Sequence, residues 1–288
     1  MIDVLSGFGV VVLVIAVGYL YGRVQPSSLR ALASFVFLVA TPALLIDILL
    51  RTDPREIFSA SFLVVAGSAL ITGALAFVLF RLRGRSAPDS IIGMLASSYA
   101  NGGNLGIPLA VYLLDDAAVV IPVILFQVAF YAPVALTALD MDVSRNLTVA
   151  LRNPMLIAAI IGLVIGFLRI PVPTLVSEAV GILAGAAVPV ALLVFGMSLV
   201  GTRVRVDADV LLAVTLKNIV HPVIAGLLAY ALGAPLYALV VLGALPTAQN
   251  VLTYAVRFRT NEKLARDAGV VSTLVSFPVL IVVTLLLG

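Results

Sequence analysis

The chain has 288 residues, of which 62% are hydrophobic and only 11% are charged, and its mean hydropathy is +1.23. There is too little polar side chain to cover a soluble domain, so the composition excludes soluble enzymes and predicts a polytopic, all-α membrane protein in the lipid bilayer. The net charge of +3 belongs to short loops and requires no nucleic-acid partner, and the lack of cysteine excludes disulfides and thiolate metal sites.

Ten apolar stretches are long enough to cross a hydrocarbon core of roughly 30 Å. In chain order they lie near 4–21, 30–50, 58–80, 90–114, 117–139, 154–170, 173–200, 210–232, 235–256 and 268–287. No cationic region precedes the first stretch, so we expect it to remain as a helix rather than to be cleaved as a signal peptide.

Arginine and lysine side chains fix the expected orientation, since short cytoplasmic loops retain them. Thirteen lie on alternate loops, against three on the other loops. The thirteen are Arg23, Arg30, Arg81, Arg83, Arg85, Arg145, Arg152, Arg203, Arg205, Arg257, Arg259, Lys263 and Arg266; the three are Arg51, Arg55 and Arg169. The sequence therefore predicts a multi-pass plasma-membrane protein with both termini outside.

Residues in the first half recur in the second at an almost constant offset. Pro42, Asn104 and Pro133 correspond to Pro189, Asn250 and Pro278 at offsets of 147, 146 and 145 residues. Because each half contains five spans, an odd number, the halves enter the membrane in opposite senses, and we predict an inverted repeat of residues 1–143 and 144–288. Paired helix interruptions of this kind are typical of secondary transporters, whose substrate sites lie at mid-membrane between two repeats.

The fourth segment contains a sequence that cannot continue a regular helix. Between Asn101 and Pro108 there are three glycines and one proline, including Gly103 and Gly106. Pro108 suits the first turn of a restarting half-helix, whose positive end would favour an anion beside Asn101 and Asn104. The alternative is a kinked helix with glycines for close packing.

The ninth segment carries a matching interruption over residues 245–250. We expect Pro246 to end the first half-helix, Thr247 to cap the next, and Gln249 and Asn250 to face Asn104 across a crossing of the two breaks.

The eighth segment carries a polar group at depth, formed by Lys217, Asn218 and His221. It is interpreted as a proton-sensitive or anion-attracting support site. The alternatives are a lysine that extends to the interface and a neutral histidine bonded to a carbonyl or hydroxyl. Segments three, four, five, nine and ten contain no carboxylate at depth, so no metal site and no cofactor are predicted.

Three motifs resemble the auxin efflux carrier family of bacteria and plants, which is related to the bile acid symporter fold. They are Asn104–Pro108, Leu245–Asn250 and the Asn153, Pro154 pair. The resemblance implies ten helices, a scaffold of segments 1, 2, 6 and 7, and a mobile transport domain of segments 3, 4, 5, 8, 9 and 10. It also implies a homodimer, elevator-like movement of organic anions, and contact of Asn104 and Asn250, with Gln249 adjacent, to the substrate carboxylate. The chain lacks the aspartate and lysine support site that plant members have on the third segment.

The sequence thus predicts a secondary transporter of small organic carboxylate anions, with export favoured. The alternative is a sodium- or proton-coupled symporter of the bile acid type. A receptor that binds without transport remains a further alternative, whereas an intramembrane enzyme is excluded because no nucleophile–base motif is present.

Overall fold

The computed structural model describes residues 2–52, 59–140, 151–201 and 204–288, with the backbone alone for residues 2–8 and 140. The described part is helical, and its only extended pairing is one isolated antiparallel bridge. Arg55, Arg145, Arg203 and the predicted boundary between residues 143 and 144 lie outside the described residues.

Sixteen α-helices cover the described ranges. They are α1 Ile2–Val24, α2 Ser28–Phe35, α3 Thr41–Arg51, α4 Ala60–Leu82, α5 Ala87–Ser98, α6 Ile107–Leu113, α7 Ile121–Phe126, α8 Ala132–Asp140, α9 Pro154–Leu168, α10 Thr174–Gly185, α11 Ala187–Ser198, α12 Ala208–Thr215, α13 His221–Ala231, α14 Leu236–Ala244, α15 Asn250–Phe258 and α16 Glu262–Leu287. A short 3₁₀ turn, Ala117–Val120, precedes α7.

Four wider, π-helical turns each end two residues before a proline in the described chain. They are Val36–Ala40, Gly102–Gly106, Gln127–Tyr131 and Leu216–Val220, before Pro42, Pro108, Pro133 and Pro222. A proline ring clashes with the carbonyl four residues earlier, which lies in the middle of each of these turns. A wider turn accommodates the ring without ending the helix. Pro278, by contrast, lies inside the continuous helix α16, so it does not interrupt its segment.

Six helical stretches are long and apolar enough to cross a bilayer. They are Ser28–Arg51, Ala60–Leu82, Ala117–Leu139, Thr174–Ser198, Ala208–Ala231 and Glu262–Leu287. Gly9–Val24 and Pro154–Leu168 are shorter, and the predicted fourth and ninth segments are each divided into two helices. Large apolar side chains such as Leu175, Ile182 and Leu286 are more than 70% exposed, as expected for a surface in contact with lipid. The protein is therefore an integral membrane protein, while the count of ten spans and the inverted repeat stay predictions.

The chain forms two compact units. The first comprises Met1–Phe58, Gly103–Val128 and Thr148–Thr202, and the second comprises Ser59–Gly102, Ala129–Leu147 and Arg203–Gly288. Both units draw on both halves of the sequence, so they differ from the two predicted repeats.

Close helix contacts at glycine organise the first unit. A Cβ at Gly18 would overlap the backbone of Leu193, and a Cβ at Gly196 would overlap the carbonyl oxygen of Ile15, so α1 and α11 pack backbone to backbone. Gly162 of α9 lies against the side chain of Leu49, whose Cβ would be 2.7 Å from a Cβ at this glycine. The start of α9 is fixed by Asn153, whose side-chain oxygen accepts a 2.9 Å hydrogen bond from the Met155 amide, followed by proline at the first helical position.

In the second unit, α4 packs along α5 and α13, and α16 packs against α12 and α14. Gly93 of α5 leaves room for the Phe80 ring, and Gly73 of α4 leaves room for the hydroxyl of Tyr131. These contacts hold together the ends of α5, α14 and α15, where the polar residues of the unit are concentrated.

Candidate functional site

The two predicted helix breaks meet in the second unit. α5 ends at Ser98 and α14 ends at Ala244, and the backbone then runs as an antiparallel bridge between Ala100 and Thr247. The Asn101 amide donates to the Pro246 carbonyl at 2.8 Å, and the Ala248 amide donates to the Tyr99 carbonyl at 3.0 Å. Each break therefore supplies hydrogen-bond partners that the other has lost from its helix.

The first break begins earlier than its glycines predicted. The chain leaves the helix at Tyr99–Asn101, whereas Gly102–Gly106 forms one of the π-helical turns. Asn101 is buried with 4% of its surface exposed. Gly103, Asn104 and Gly106 belong to the π turn, and Pro108 follows in the first turn of α6, as predicted.

Asn104 belongs to the first unit, together with Gly103, Gly106 and Pro108. A Cβ at Gly103 would lie 3.2 Å from the methyl carbon of Met155. The predicted encounter of Asn104 with Asn250, which belongs to the second unit, stays a prediction.

Thr247 does not cap the helix that follows it, contrary to the prediction. Its hydroxyl donates a 2.5 Å hydrogen bond to the carbonyl of Ala96 near the end of α5, and its amide donates to the Ser272 hydroxyl at 3.0 Å. Thr247 contacts α5 because the backbone bridge with Ala100 places it next to the end of that helix. Gln249, which is exposed, immediately precedes α15 without a side-chain cap, and Asn250 is the first residue of that helix.

Lys217 is fully buried at the carboxyl end of α14. Its Nζ donates to the Gly243 carbonyl at 2.7 Å and lies 2.9 Å from His221 Nδ1. The expectation of a lysine extending to the cytoplasmic interface is therefore wrong. The carboxyl end of a helix carries partial negative charge, which favours a hydrogen-bond donor at this position.

His221 bridges Lys217 to α4. Its Nε2 lies 3.3 Å from the Ser68 hydroxyl, which donates in turn to the Val65 carbonyl. Since the Ser68 hydroxyl donates its proton to Val65, it accepts from Nε2, and Nδ1 of the neutral ring accepts from Lys217. The predicted contact of a neutral imidazole with a hydroxyl thus matches this geometry.

Asn218 completes the support of the α14 end. Its side-chain amide donates to the Ser276 hydroxyl at 2.6 Å and to the Ser272 carbonyl at 3.2 Å. The Ser276 hydroxyl donates to the carbonyl of Ala244, the last residue of α14. Lys217 and Ser276 together therefore satisfy two carbonyls left by the break.

Three tyrosines lie beside the bridge, and sequence reasoning did not identify them. The Tyr99 ring stacks on that of Tyr131, with centroids 5.9 Å apart, and meets Tyr254 edge to face at 6.2 Å. The Tyr131 hydroxyl lies 2.6 Å from that of Ser98. The sequence does contain one signal for Tyr254. It lies four residues after Asn250 on one helix, a spacing that places both side chains on the same face.

The helix ends at the crossing differ in the side-chain hydrogen bonds that their backbone groups receive. The carboxyl ends of α5 and α14 receive donors from Thr247, Lys217 and Ser276, whereas the amino end of α15 has no side-chain cap. The hydrogen-bond partners of Lys217, the Gly243 carbonyl and the His221 ring, are neutral, and no carboxylate pairs with it among the described residues. The amino end of α15, with its partial positive charge, is therefore the helix end at the crossing that favours an anion.

Carboxylates gather instead at the amino ends of α12 and α16. Asp209 accepts from Arg83 Nε at 2.9 Å and from Arg85 Nε at 2.7 Å. Asp267 is fully buried and accepts from Arg266 at 2.8 Å, and it lies inside α16 because that helix begins earlier than predicted. Asp267 lies one residue before the predicted tenth segment, so the absence of a carboxylate at depth in that segment stays a prediction. Within the described ranges, His, Asp and Glu form no group able to hold a metal ion.

The sequence profile of a family described as membrane transport proteins matches residues 9–147 and 139–284. A protein of Rhizobium meliloti (strain 1021), whose name proposes it as a malonate transporter, is 28% identical over 296 aligned residues, which cover 95% of this chain and 91% of that protein. The chain belongs to the membrane transport protein family, the auxin efflux or PIN-like family, and is therefore a membrane transporter and not an enzyme.

Proposed function

We propose that this protein is a secondary transporter of small organic carboxylate anions and that the crossing of its two helix breaks forms the substrate site. The backbone bridge carries this proposal. Its two hydrogen bonds correspond to each other at an offset of 147 residues. The two donors, Asn101 and Ala248, are 147 residues apart, and so are the two acceptors, Tyr99 and Pro246. Two related breaks that pair in this way are the expected framework of a transporter site built from two repeats.

Electrostatics at the crossing favours an anionic substrate. Burying the Lys217 charge has a large desolvation cost that a neutral carbonyl and imidazole only partly offset. A bound carboxylate near the crossing would supply the missing negative charge. The uncapped amino end of α15 favours the same ligand.

The proposed carboxylate ligands are side-chain amides and backbone N–H groups at the two breaks. In the proposed site, Asn104 and Asn250 contact the carboxylate, with Asn101 and Gln249 adjacent. Gly103, Gly106, Pro108, Pro246 and Thr247 shape the backbone around it. Lys217, Asn218 and His221 form the support site behind α14, where they hold the end of the half-helix.

Malonate is the first substrate to test, because the Rhizobium meliloti relative is named for it. Malonate is a small dicarboxylate, and such an anion is compatible with a site that combines two helix breaks and a nearby buried lysine.

Transport is proposed to proceed by an elevator-type movement in a homodimer, with segments 1, 2, 6 and 7 as the scaffold and both termini outside the plasma membrane. Export is the favoured direction. A potential of 100 mV, negative inside, contributes about 2.3 kcal/mol for each anionic charge that leaves the cell. That free energy supports a concentration ratio of roughly fifty without a coupled ion.

The contact between Lys217 and His221 favours one alternative, a proton-coupled transporter. Protonation of His221 would place two cations 2.9 Å apart and disturb the support of α14. Uptake measured with imposed proton or sodium gradients distinguishes coupled symport from transport driven by potential alone.

The deciding experiment combines binding and transport. Purified protein is screened by thermal shift with malonate and monocarboxylates, and proteoliposomes are assayed for counterflow of labelled malonate. Asn104→Ala and Asn250→Ala should each abolish anion-induced stabilisation and counterflow while the protein remains folded. Asn261→Gly is the matched control, because this asparagine lies at φ 44° before α16, where glycine is tolerated. Full activity in both site variants would exclude the crossing as the substrate site, and binding without counterflow would indicate a receptor.

A further inference from the structure

A cavity of about 620 Å³ lies in the first unit, where three apolar helices begin or end. It is lined by the end of α3, the end of α9 with the connection that follows, and the first turn of α10. Its volume is within the range of about 300–1,000 Å³ that is typical of small-molecule sites. Because Arg51 ends one membrane-spanning stretch and Arg169 follows the last residue of α9, the cavity lies at the level where hydrocarbon meets water.

Polar and apolar side chains both line this cavity. The polar ones include Asp47, Arg51 and Arg169, and the apolar ones include Ile165, Phe167 and Ile170. Phe167 and Ile170 are also about half exposed, as expected for side chains in contact with lipid. The cavity therefore suits a ligand that has one polar part and one apolar part.

The charges of the lining favour an anion. Asp47 Oδ1 accepts from Arg51 Nη2 at 2.8 Å and from its Nε at 3.3 Å, which leaves Nη1 of this guanidinium without a partner among the described residues. The Arg169 side chain is exposed, and within the described ranges it makes no hydrogen bond or ion pair. Glu178, the nearest carboxylate on α10, is not part of the lining. Two arginines against one aspartate leave the lining with a charge of +1.

The backbone of Arg169 gives no reason for an arginine at this position. Its φ of 51° lies in the left-handed region, directly after a helix, where glycine is the preferred residue. Any other residue type is strained there, and such strain is found where the side chain has a function. The chain thus carries an arginine where its backbone favours glycine and where the side chain lines a cavity.

We propose that this cavity binds the headgroup of an anionic phospholipid. Arg51 and Arg169 donate to the lipid phosphate, whose oxygens match the geometry of a guanidinium, while Phe167 and Ile170 contact the glycerol backbone and the first acyl carbons. Free phosphate offers the same oxygens but leaves the apolar lining without a partner. A zwitterionic lipid is disfavoured, because its cationic group would meet a lining that is already positive. No lining residue belongs to the proposed substrate site, so this inference does not depend on the proposed function.

Fluorescence quenching by brominated lipids tests the proposal, because the chain contains no tryptophan. Phe167→Trp places a single reporter in the lining. Tyr230→Trp places one at an exposed aromatic residue near the end of α13, where the following connection, residues 232–235, has no basic residue. Each protein is reconstituted in mixtures of phosphatidylglycerol and phosphatidylcholine, in which first one lipid and then the other is brominated on an acyl chain. Quenching at varied mole fractions gives the relative affinity of the two lipids beside the reporter.

Beside Phe167→Trp, phosphatidylglycerol should bind about fivefold more tightly than phosphatidylcholine, the factor expected for one lipid charge next to one uncompensated arginine. Beside Tyr230→Trp the two lipids should be equivalent. Adding Arg169→Gln to Phe167→Trp should remove the preference, and so should Arg51→Gln, since either change leaves the lining neutral. Arg30→Gln is the matched control and should retain it, because this exposed arginine lies near the opposite end of the stretch Ser28–Arg51.

Arg169→Gly separates lipid binding from folding. Glycine adopts a φ of 51° without strain, so the melting temperature in detergent should not fall below that of the wild type. The preference for phosphatidylglycerol should nevertheless be lost, because the guanidinium is absent. A preference that survives both Arg169→Gly and Arg51→Gln would overturn the proposal.

Three other outcomes would also overturn it. Equal affinities beside Phe167→Trp would mean that the arginines only extend to water. Loss of the preference in millimolar inorganic phosphate, at constant ionic strength, would mean that a free anion occupies the cavity instead of a lipid. Quenching by neither lipid, with Tyr230→Trp still quenched, would mean that protein covers the cavity.

Discussion

The Lys217 ammonium donates a 2.7 Å hydrogen bond to the Gly243 carbonyl, one residue before the end of α14. This contact joins the only buried lysine of the described chain to a helix that stops short in the middle of its segment. The lysine replaces amide donors that a continuous helix would have provided. It also adds a positive charge close to the crossing of the two breaks.

Replacing this lysine by methionine should separate its electrostatic role from its structural role. Lys217→Met removes a desolvated charge but leaves the Gly243 carbonyl without its donor, so we expect only a small change in melting temperature. Anion affinity should fall about tenfold, equivalent to about 1.4 kcal/mol, because the positive charge is lost. Thermal shift with malonate measures both quantities. Lys263→Met, at a half-exposed lysine, is the control, and equal affinities in the two variants would contradict an electrostatic role for Lys217.

His221 should make transport sensitive to pH. When both ring nitrogens are protonated, the imidazolium faces the Lys217 ammonium at 2.9 Å, and the repulsion should displace the lysine from Gly243. Wild-type counterflow should therefore fall on acidification. His221→Gln retains an acceptor for Lys217 without titrating, so its profile should be flatter. The rate of wild-type counterflow is divided by that of His221→Gln at each pH, because the protonation of the substrate affects both proteins equally. A ratio that does not change with pH would assign His221 to packing alone.

The sequence was sufficient for the features that depend on local chemistry. Hydropathy identified the protein class, and glycine and proline located both helix breaks within a few residues. The Asn153, Pro154 pair begins α9, with Asn153 as its cap and proline at the first helical position. Asp47 and Arg51, four residues apart on α3, form an ion pair at 2.8 Å, as helical spacing favours.

The features that sequence reasoning missed depend on partners far along the chain. Thr247 was expected to cap its own helix, but the bridge brings it to Ala96, 151 residues away. An interfacial position of Lys217 remained an alternative, because its buried acceptor, Gly243, exists only where α14 ends. The presence of a proline also did not show how the helix would respond. The turn before Pro222 is widened, whereas the helix around Pro278 is continuous, because neighbouring helices decide which deformation is tolerated.

The hydroxyl of Thr247 should be required for a stable crossing. Thr247→Val preserves shape but removes the donor to the Ala96 carbonyl, which leaves a buried acceptor unsatisfied at a cost of about 1–3 kcal/mol. We expect a lower melting temperature without ligand and impaired counterflow, both restored in part by Thr247→Ser. Thr253→Val, at an exposed threonine on α15, should have little effect. A Thr247→Val protein as stable as the wild type would show that the hydrogen bond contributes nothing.

The cap of α12 should give stability a dependence on acidic pH. The Val210 amide donates to the Asp207 carboxylate and, with a second bond from Asp209 and the charges of Lys263 and Arg85, holds the pKa of Asp207 below its ordinary value. A lowered pKa means that the carboxylate stabilises the fold above the ordinary aspartate value of about 3.9, and that this stabilisation is lost as pH falls through the folded-state pKa.

Asp207→Ala should therefore lower the melting temperature at neutral pH by a small amount, within about 1 kcal/mol for an exposed cap, and the difference from wild type should shrink below about pH 4. Asp207→Asn keeps a capping side chain without the titration and should be nearly as stable as wild type at both pH values. A difference that grows on acidification would contradict this assignment.

Close packing of α1 on α11 should make Gly196 intolerant of any side chain. A Cβ there would overlap the carbonyl oxygen of Ile15 and approach the Tyr19 amide nitrogen at 2.7 Å, and both are backbone atoms that cannot rotate away. Gly196→Ala should therefore push the two helices apart at a cost of about 1–3 kcal/mol. Gly185→Ala is the matched control, because a Cβ at Gly185 meets nothing within 4 Å and alanine favours a helix. Melting temperatures of the two purified variants test the contact, and equal stabilities would mean that α1 does not pack on α11 at this distance.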